Sequence, residues 1–273
     1  MIKNFVDIHT HTDNSPDGKH NAMYLCECAM TAGLRAIAFT DHCEVDVYKR
    51  DHYDRIVRQS YFAILKAINA FEGEILVLKG IELGEAHYDI KTSEEILAAQ
   101  QYDFVLGAVH NLRGQDDFYF IPTFEGYDLK ALMSEYFDEI LGLIEWGNFD
   151  SLAHLTYPLR YFFERSQKRF DLSVLSHKID DILSLLAEKD KALEINTKGL
   201  RSPINEMCPS FEIVKRFKEL GGEKITVGSD AHYGHELGAG IKEAEEVALA
   251  AGFKTKFIYQ DREPFELIID HSN

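Results

Sequence analysis

Histidines and carboxylates recur in this chain in one kind of setting, the polar end of a short apolar run: "DIHTHTDNSPDG" (7–18), "FTDH" (39–42), "GIELG" (80–84), "GAVH" (107–110), "LAHLTYPLR" (152–160), "EINTKGLR" (194–201) and "GSDAH" (228–232). Imidazoles mixed with carboxylates, with no thiolate among them, suit Zn²⁺, Mn²⁺ or Fe²⁺ better than Cu⁺ or Ca²⁺. One such histidine is ordinarily a turn residue or a satisfied core residue. The case for metal rests on repetition, because six run ends carry His9 with His11, His42, Glu82, His110, His154, and Asp230 with His232, and Asp17 follows the first. These are more donors than the roughly four to six that one ion takes, so a site with several ions is expected. His20, His52, His87, His177, His235 and His271 lie in helical, loop or tail segments and are read as surface or capping residues. Asp7 and Asp41 flank donor candidates and are read as acceptors that orient imidazoles.

The elements that must position these residues follow from periodicity. Strand-length apolar runs at 5–9, 35–42, 75–82, 103–110, 150–156, 192–197 and 225–232 alternate with helix-like segments at 21–32, 52–71, 93–100, 128–145, 173–189, 209–220 and 236–251. Gly33, Gly73, Gly147, Gly221 and Gly252 follow several of those helices where a left-handed cap is expected. Repeated strand–helix units without a linker or low-complexity tract predict an α/β fold, a single parallel barrel over 1–273 with its core at 5–252 and an extension at 253–273. In such a barrel the C-terminal strand ends meet on one face, and the chemistry-bearing residues would meet there. Alternation in the first strand predicts that Asp7, His9 and His11 face the mouth while Val6 and Ile8 pack against helices.

Composition narrows the partners. The chain has 273 residues, of which 46 are acidic and 29 basic, and its net charge of −17 disfavours nucleic acid and anionic membranes. No apolar run approaches the roughly 18 to 20 residues of a membrane span. The first residues show no signal-peptide pattern, and the reading is a soluble, cytoplasmic protein. Cys26, Cys28, Cys43 and Cys208 lack a disulfide-framework spacing and are read as ordinary thiols.

The ordered motifs, over residues 5 to about 252, resemble those of the PHP (polymerase and histidinol phosphatase) family, and more narrowly its histidinol-phosphate phosphatase branch. The resemblance implies a distorted, TIM-like (β/α)7 barrel with three divalent transition-metal ions (Zn, Mn or Fe). It implies one ion on His9, His11, Glu82 and Asp230, a second on Glu82, His110 and His154, and a third on Asp17, His42 and His232. Three divalent ions, less the charges of Asp17, Glu82, Asp230 and one hydroxide, leave about +2, which suits a phosphate dianion. The expected reaction is hydrolysis of a small phosphomonoester such as histidinol phosphate by a metal-bridging hydroxide, releasing inorganic phosphate as in histidine biosynthesis, with Glu82 and Asp230 as catalytic residues.

Arg160 and Arg201 match the family's motifs and are the favoured phosphate-binding cations, ahead of Arg113. Glu44, Asp46, Asp117 and Tyr157 are candidates for the cationic leaving portion. A nucleotide or sugar phosphate is the alternative substrate within the family. An amidohydrolase-type hydrolase fits less well, since no lysine ends the fourth strand run, and an intact donor set argues against a non-catalytic module.

Overall fold

Parallel pairing joins the predicted strand runs into one sheet that nearly closes on itself. A computed structural model describes residues 4–269. The strands are β1 (Val6–Thr10), β2 (Ala36–Phe39), β3 (His42–Glu44), β4 (Leu76–Gly84), β5 (Phe104–Ala108), β6 (Ser151–Leu152), β7 (Ala192–Asn196) and β8 (Ile225–Gly228). They pair in the order β1-β2-β4-β5-β6-β7-β8, with β3 continuing the second run and also pairing with β4. The circle is completed by hydrogen bonds from His11 N to the Ala231 carbonyl, 2.9 Å, and from Asp230 N to the His9 carbonyl, 2.8 Å. The first and last donor motifs therefore lie side by side.

Helices α1 (Ala22–Ala32), α2 (Tyr53–Ala70), α3 (Ile90–Ala99), α4 (Leu129–Trp146), α5 (Tyr157–Ser166), α6 (Ser176–Glu188), α7 (Phe211–Glu219) and α8 (Ile241–Ala251) connect the strands. Gly33, Gly147 and Gly252 are left-handed caps as expected, whereas Phe71 and Leu220 end α2 and α7 ahead of Gly73 and Gly221. Two elements lie outside the predicted segments. One is α5, which begins at Tyr157-Pro158. The other is an antiparallel hairpin of β9 (Thr255–Gln260) and β10 (Glu263–Ile268), within the extension expected at 253–273.

Period-2 alternation sorts each strand between helices and barrel interior. On β4, Ile81 and Leu83 join the helix-packed core, while Leu78 lies in a cluster built from strands and the hairpin; Gly80 and Glu82 share its parity, which carries Glu82 into the mouth. Likewise Phe104, Leu106 and Ala108 face inward on β5 and set the parity for His110. At the barrel's other end Ile258 and Tyr259 of β9 close this cluster, and the Tyr259 ring stacks on Phe104 with centroids 5.3 Å apart.

The first strand departs from its expected alternation. Val6 and Ile8 lie in the interior cluster, not against helices, and Asp7 accepts from Ser229 N and Oγ and from Gly238 N. The pairing with β2 explains this. Asp7 is opposite Ile37 and Thr10 opposite Phe39, so β1 holds one extra residue between those pairs. A bulge of that kind shifts the parity of the residues after it, and it lets Ile8 stay in the core while His9 turns to the mouth.

Candidate metal centre

Glu82 is the centre of the arrangement. It is fully buried on β4, where its Oε1 lies 2.7 Å from His154 Nε2 and 3.2 Å from His110 Nε2. Its Oε2 lies 3.0 Å from His42 Nδ1, 3.3 Å from His9 Nε2 and 3.5 Å from His11 Nε2. Asp230, just past β8 at a φ of 53°, puts Oδ1 3.5 Å from His11 Nε2 and 4.0 Å from His9 Nε2. Asp17 closes the other side, with Oδ2 2.7 Å from His232 Nε2 and Oδ1 3.8 Å from His42 Nε2. All the donor residues read from the motifs thus converge. The tightest groups, with donor atoms within 4.8 Å of one another, include His9-His11-Asp230, His42-Glu82-His110 and His11-His42-His232.

The orientation of the rings fits cations. His9 Nδ1 is held by Glu194 Oε1 at 2.6 Å, His11 Nδ1 by Ser15 Oγ at 3.1 Å and His110 Nδ1 by Glu44 Oε2 at 3.2 Å. When an outer ring nitrogen donates to such an acceptor, the inner one carries a lone pair. For His9 and His11 those inner nitrogens then face each other, Nε2 to Nε2, at 3.1 Å. Opposed lone pairs repel unless a positive charge lies among them. Glu82 Oε2 and His42 Nδ1, both buried, make no hydrogen bond although they are neighbours. The residues present therefore suit bound cations.

Electrostatics agree. Burial alone would pull the His9 imidazole down, but Glu194, Glu82 and Asp230 outweigh it and hold it well above the usual range. His42 and His110 are raised against burial in the same way, chiefly by Glu82 and Glu44 respectively. Burial, then His232 and His42, push His11 well below. Glu82 and Asp230 stay well below the usual carboxylate range despite burial, the first through His9, His42 and His110, the second through Lys198 and His9. The cluster demands positive charge.

Some expectations are corrected. Glu44, read as a rim residue, accepts from His110 Nδ1 and has Oε1 3.1 Å from His42 Nδ1 as an ion-pair neighbour, and it fits there because Gly84 has no side chain. Neither Asp7 nor Asp41 touches an imidazole. Asp41 accepts from Thr12, Ser15 and Ser60 and acts on His11 only through Ser15. The carboxylate that does orient His9 is Glu194, unassigned in the sequence reading although its parity with Asn196 on β7 points it inward. His52, His177 and His235 are exposed, His20 and His87 are half-buried, and none joins the cluster. His271 lies outside the described residues.

Apart from His9 and His11, which lie deepest, the donors open onto a cavity of about 980 Å³ that Arg160, Arg113, Lys198, Asp117 and Tyr157 also line. Arg160, on α5, is buried; it donates to the Tyr161 hydroxyl and lies over the Tyr161 and Tyr157 rings, and among the described residues no carboxylate pairs with it. Tyr157 stacks on His154 and donates to Asp117 Oδ1 at 2.9 Å. Arg113 donates to the Tyr88 carbonyl and covers its ring. Arg201 bonds the Ser229 carbonyl at 2.6 Å, lies 3.6 Å from Glu236 and is not among the lining residues. Lys198, from the same turn, is.

Known proteins resemble this chain in sequence and fold. The PHP domain model matches residues 7–198. A probable histidinol-phosphatase of Clostridium acetobutylicum is 30% identical over 256 residues, covering 92% of this chain and 95% of that protein. The histidinol-phosphatase of Lactococcus lactis is 30% identical over 254 residues, 91% of each. The crystal structure of histidinol phosphate phosphatase from Lactococcus lactis, complexed with zinc, L-histidinol and phosphate, superimposes with a TM-score of 0.74 at 25% identity, covering 95% of this chain and 98% of that one. Fold and sequence matches agree, and this chain belongs to the PHP domain family.

Proposed function

We propose that the chain is a metal-dependent phosphomonoester hydrolase that acts on histidinol phosphate, giving L-histidinol and inorganic phosphate. The observation that carries this reading is a buried, carboxylate-free Arg160 opening on the same cavity as the donor cluster. An arginine without a counter-ion beside a cation site is suited to bind a phosphate's non-bridging oxygens. The relatives named for histidinol phosphate supply the substrate.

In this reading His9, His11, Glu82 and Asp230 would hold one cation, Glu82, His110 and His154 a second, and Asp17, His42 and His232 a third. Bound there, divalent cations would supply Lewis-acid charge and a nucleophilic water of lowered pKa. The chain's own residues do the rest. Glu194, Glu44 and Ser15 fix the ring orientations. Arg160 orients the phosphoryl group. Asn196 Nδ2, 3.4 Å from Asp230 Oδ2, steadies that carboxylate beside the reacting group. Asp117, clamped by Tyr157 and Tyr119 N through Oδ1, and Asp46 would receive the ammonium and imidazole of the leaving portion.

The cavity is at the upper end of small-molecule sites, which leaves room for a larger phosphoester. A panel of phosphomonoesters assayed with protein purified without chelator tests both points. Histidinol phosphate should exceed aryl, sugar and nucleoside phosphates in kcat/KM by at least about tenfold, a difference of roughly 1.4 kcal/mol in transition-state binding. Equal turnover of all of them would sink the substrate assignment, and fewer than two transition ions per chain after reconstitution would sink the metal centre.

A further inference from the structure

We infer that Lys198 is a built-in counter-cation of the third-cation subsite, and that its ammonium must leave His232 before Asp17, His42 and His232 can hold an ion. The inference rests on the three-cation reading of the donor cluster and concerns how that site fills.

Lys198 lies in the turn after β7, with its side chain 24% exposed, and reaches into the donor cluster. Its Nζ is 2.6 Å from His232 Nδ1, 3.2 Å from Asp230 Oδ1 and 3.2 Å from the Asp230 carbonyl. An ammonium has three protons to donate, and these three acceptors account for them. All three acceptors belong to Asp230 and His232, which the three-cation reading assigns to ions. The other cavity-lining cations have their own partners: Arg50 pairs with Asp51, Arg113 covers Tyr88, and Arg160 rests on the two tyrosine rings.

His232 is where the competition acts. Nδ1 has two neighbours of opposite demand, the Lys198 ammonium, which donates, and the Asp230 carbonyl at 3.0 Å, which accepts. A neutral imidazole that accepts at Nδ1 carries its ring hydrogen on Nε2, the nitrogen 2.7 Å from Asp17 Oδ2. Turned the other way, with Nδ1–H donated to the Asp230 carbonyl, the ring offers Nε2 as a lone pair toward Asp17 and His42. The two arrangements exclude each other. With Lys198 on Nδ1 the subsite has its positive charge from the chain, and with Lys198 displaced it can take a divalent ion.

The third ion should accordingly be the most weakly held of the three, because Asp230 Oδ1 has lone pairs for both the ammonium at 3.2 Å and a cation, whereas the His232 ring, 2.6 Å from the ammonium, must give it up to offer Nε2. The displaced Nζ would then lie free in the phosphate cavity, so loading the third subsite would also release a cation toward the substrate.

The test measures ion affinity directly, by competition with a chromogenic chelator, on full-length wild type, Lys198→Met, Lys198→Gln and the control Arg50→Gln, using Zn²⁺ or Mn²⁺ as the probe. Wild type should bind three ions with the last the weakest. Lys198→Met and Lys198→Gln should keep that stoichiometry and bind the last ion about tenfold tighter, while Arg50→Gln, which removes the same charge from the same cavity, changes it by less than about twofold. Unchanged or weaker binding in both Lys198 variants overturns the inference, as does an equal gain in the arginine control. Fewer than three ions in every protein would instead overturn the three-cation reading beneath it.

Discussion

Glu194 shows how one carboxylate outside the donor set governs the site. At 2.6 Å from His9 Nδ1 and 1% exposed, it fixes which His9 nitrogen faces Glu82, and its second oxygen accepts from Asn196 at 3.2 Å. Glu194→Gln keeps the volume and removes the charge, and should weaken metal affinity about 10-fold or more, read by chelator competition. Gly84 makes a complementary case. A Cβ there would come 1.8 Å from Glu44 Oε2 and 3.3 Å from His110 Nδ1, so Gly84→Ala must expel Glu44 from its place between His110 and His42. The expected result is a loss of metal affinity similar to that of Glu44→Gln, with a folded circular-dichroism spectrum. The donors other than Asp17 were legible because they stand at the polar ends of apolar runs, a signal that repetition makes specific. The orienting carboxylates were less so, because Glu194 is inside a strand and Glu44 is placed by the pairing of β3 with β4, which no local pattern displays.

At the scale of elements, the β9–β10 hairpin is the piece that the sequence concealed. Its two-residue turn, Asp261-Arg262, adopts φ of 50° and 67°, the geometry for which Asn-Gly is the usual sequence sign, and this pair carries no such sign. The hairpin is nonetheless tied to the barrel. Asp261 N and Arg262 bond Asp103 and Asp150 ahead of β5 and β6, and Lys256 forms a fully buried ion pair with Glu245 of α8. Burial pulls the Lys256 ammonium below its usual range, so the pair is held at a desolvation cost. Lys256→Met alone, by removing the ammonium from Glu245, should lower unfolding stability by about 3 kcal/mol, whereas adding Glu245→Leu should restore much of it. Urea denaturation of the two variants at neutral pH checks this, and equal losses in both would show that the pair itself matters little. The bulge in β1 was hidden for a related reason. Alternation predicts the faces of a regular strand, and only the pairing register with β2 reveals the extra residue that turns His9 inward.

For the whole molecule, a net charge of −17 and a mouth crowded with Asp17, Glu44, Glu82, Glu194 and Asp230 make cations part of the folded state's electrostatics. Among the described residues no helix is long and apolar enough to cross a membrane. Stripped of metal, the protein relies on protons instead. The folded pKa values of His9, His42 and His110 are raised well above the unfolded value of 6.5, so their protonation contributes stability that is fully present below about pH 6.5 and is lost as pH rises through the folded values. Metal loading reverses the trend, because ions compete with those protons and bind more tightly as pH rises. The difference in Tm between metal-loaded and chelator-stripped protein should therefore be small near pH 6 and widen steadily toward pH 8.5. A widening toward acid, or none at all, measured by scanning calorimetry at fixed free metal, would mean that the histidine cluster is not where the cations bind.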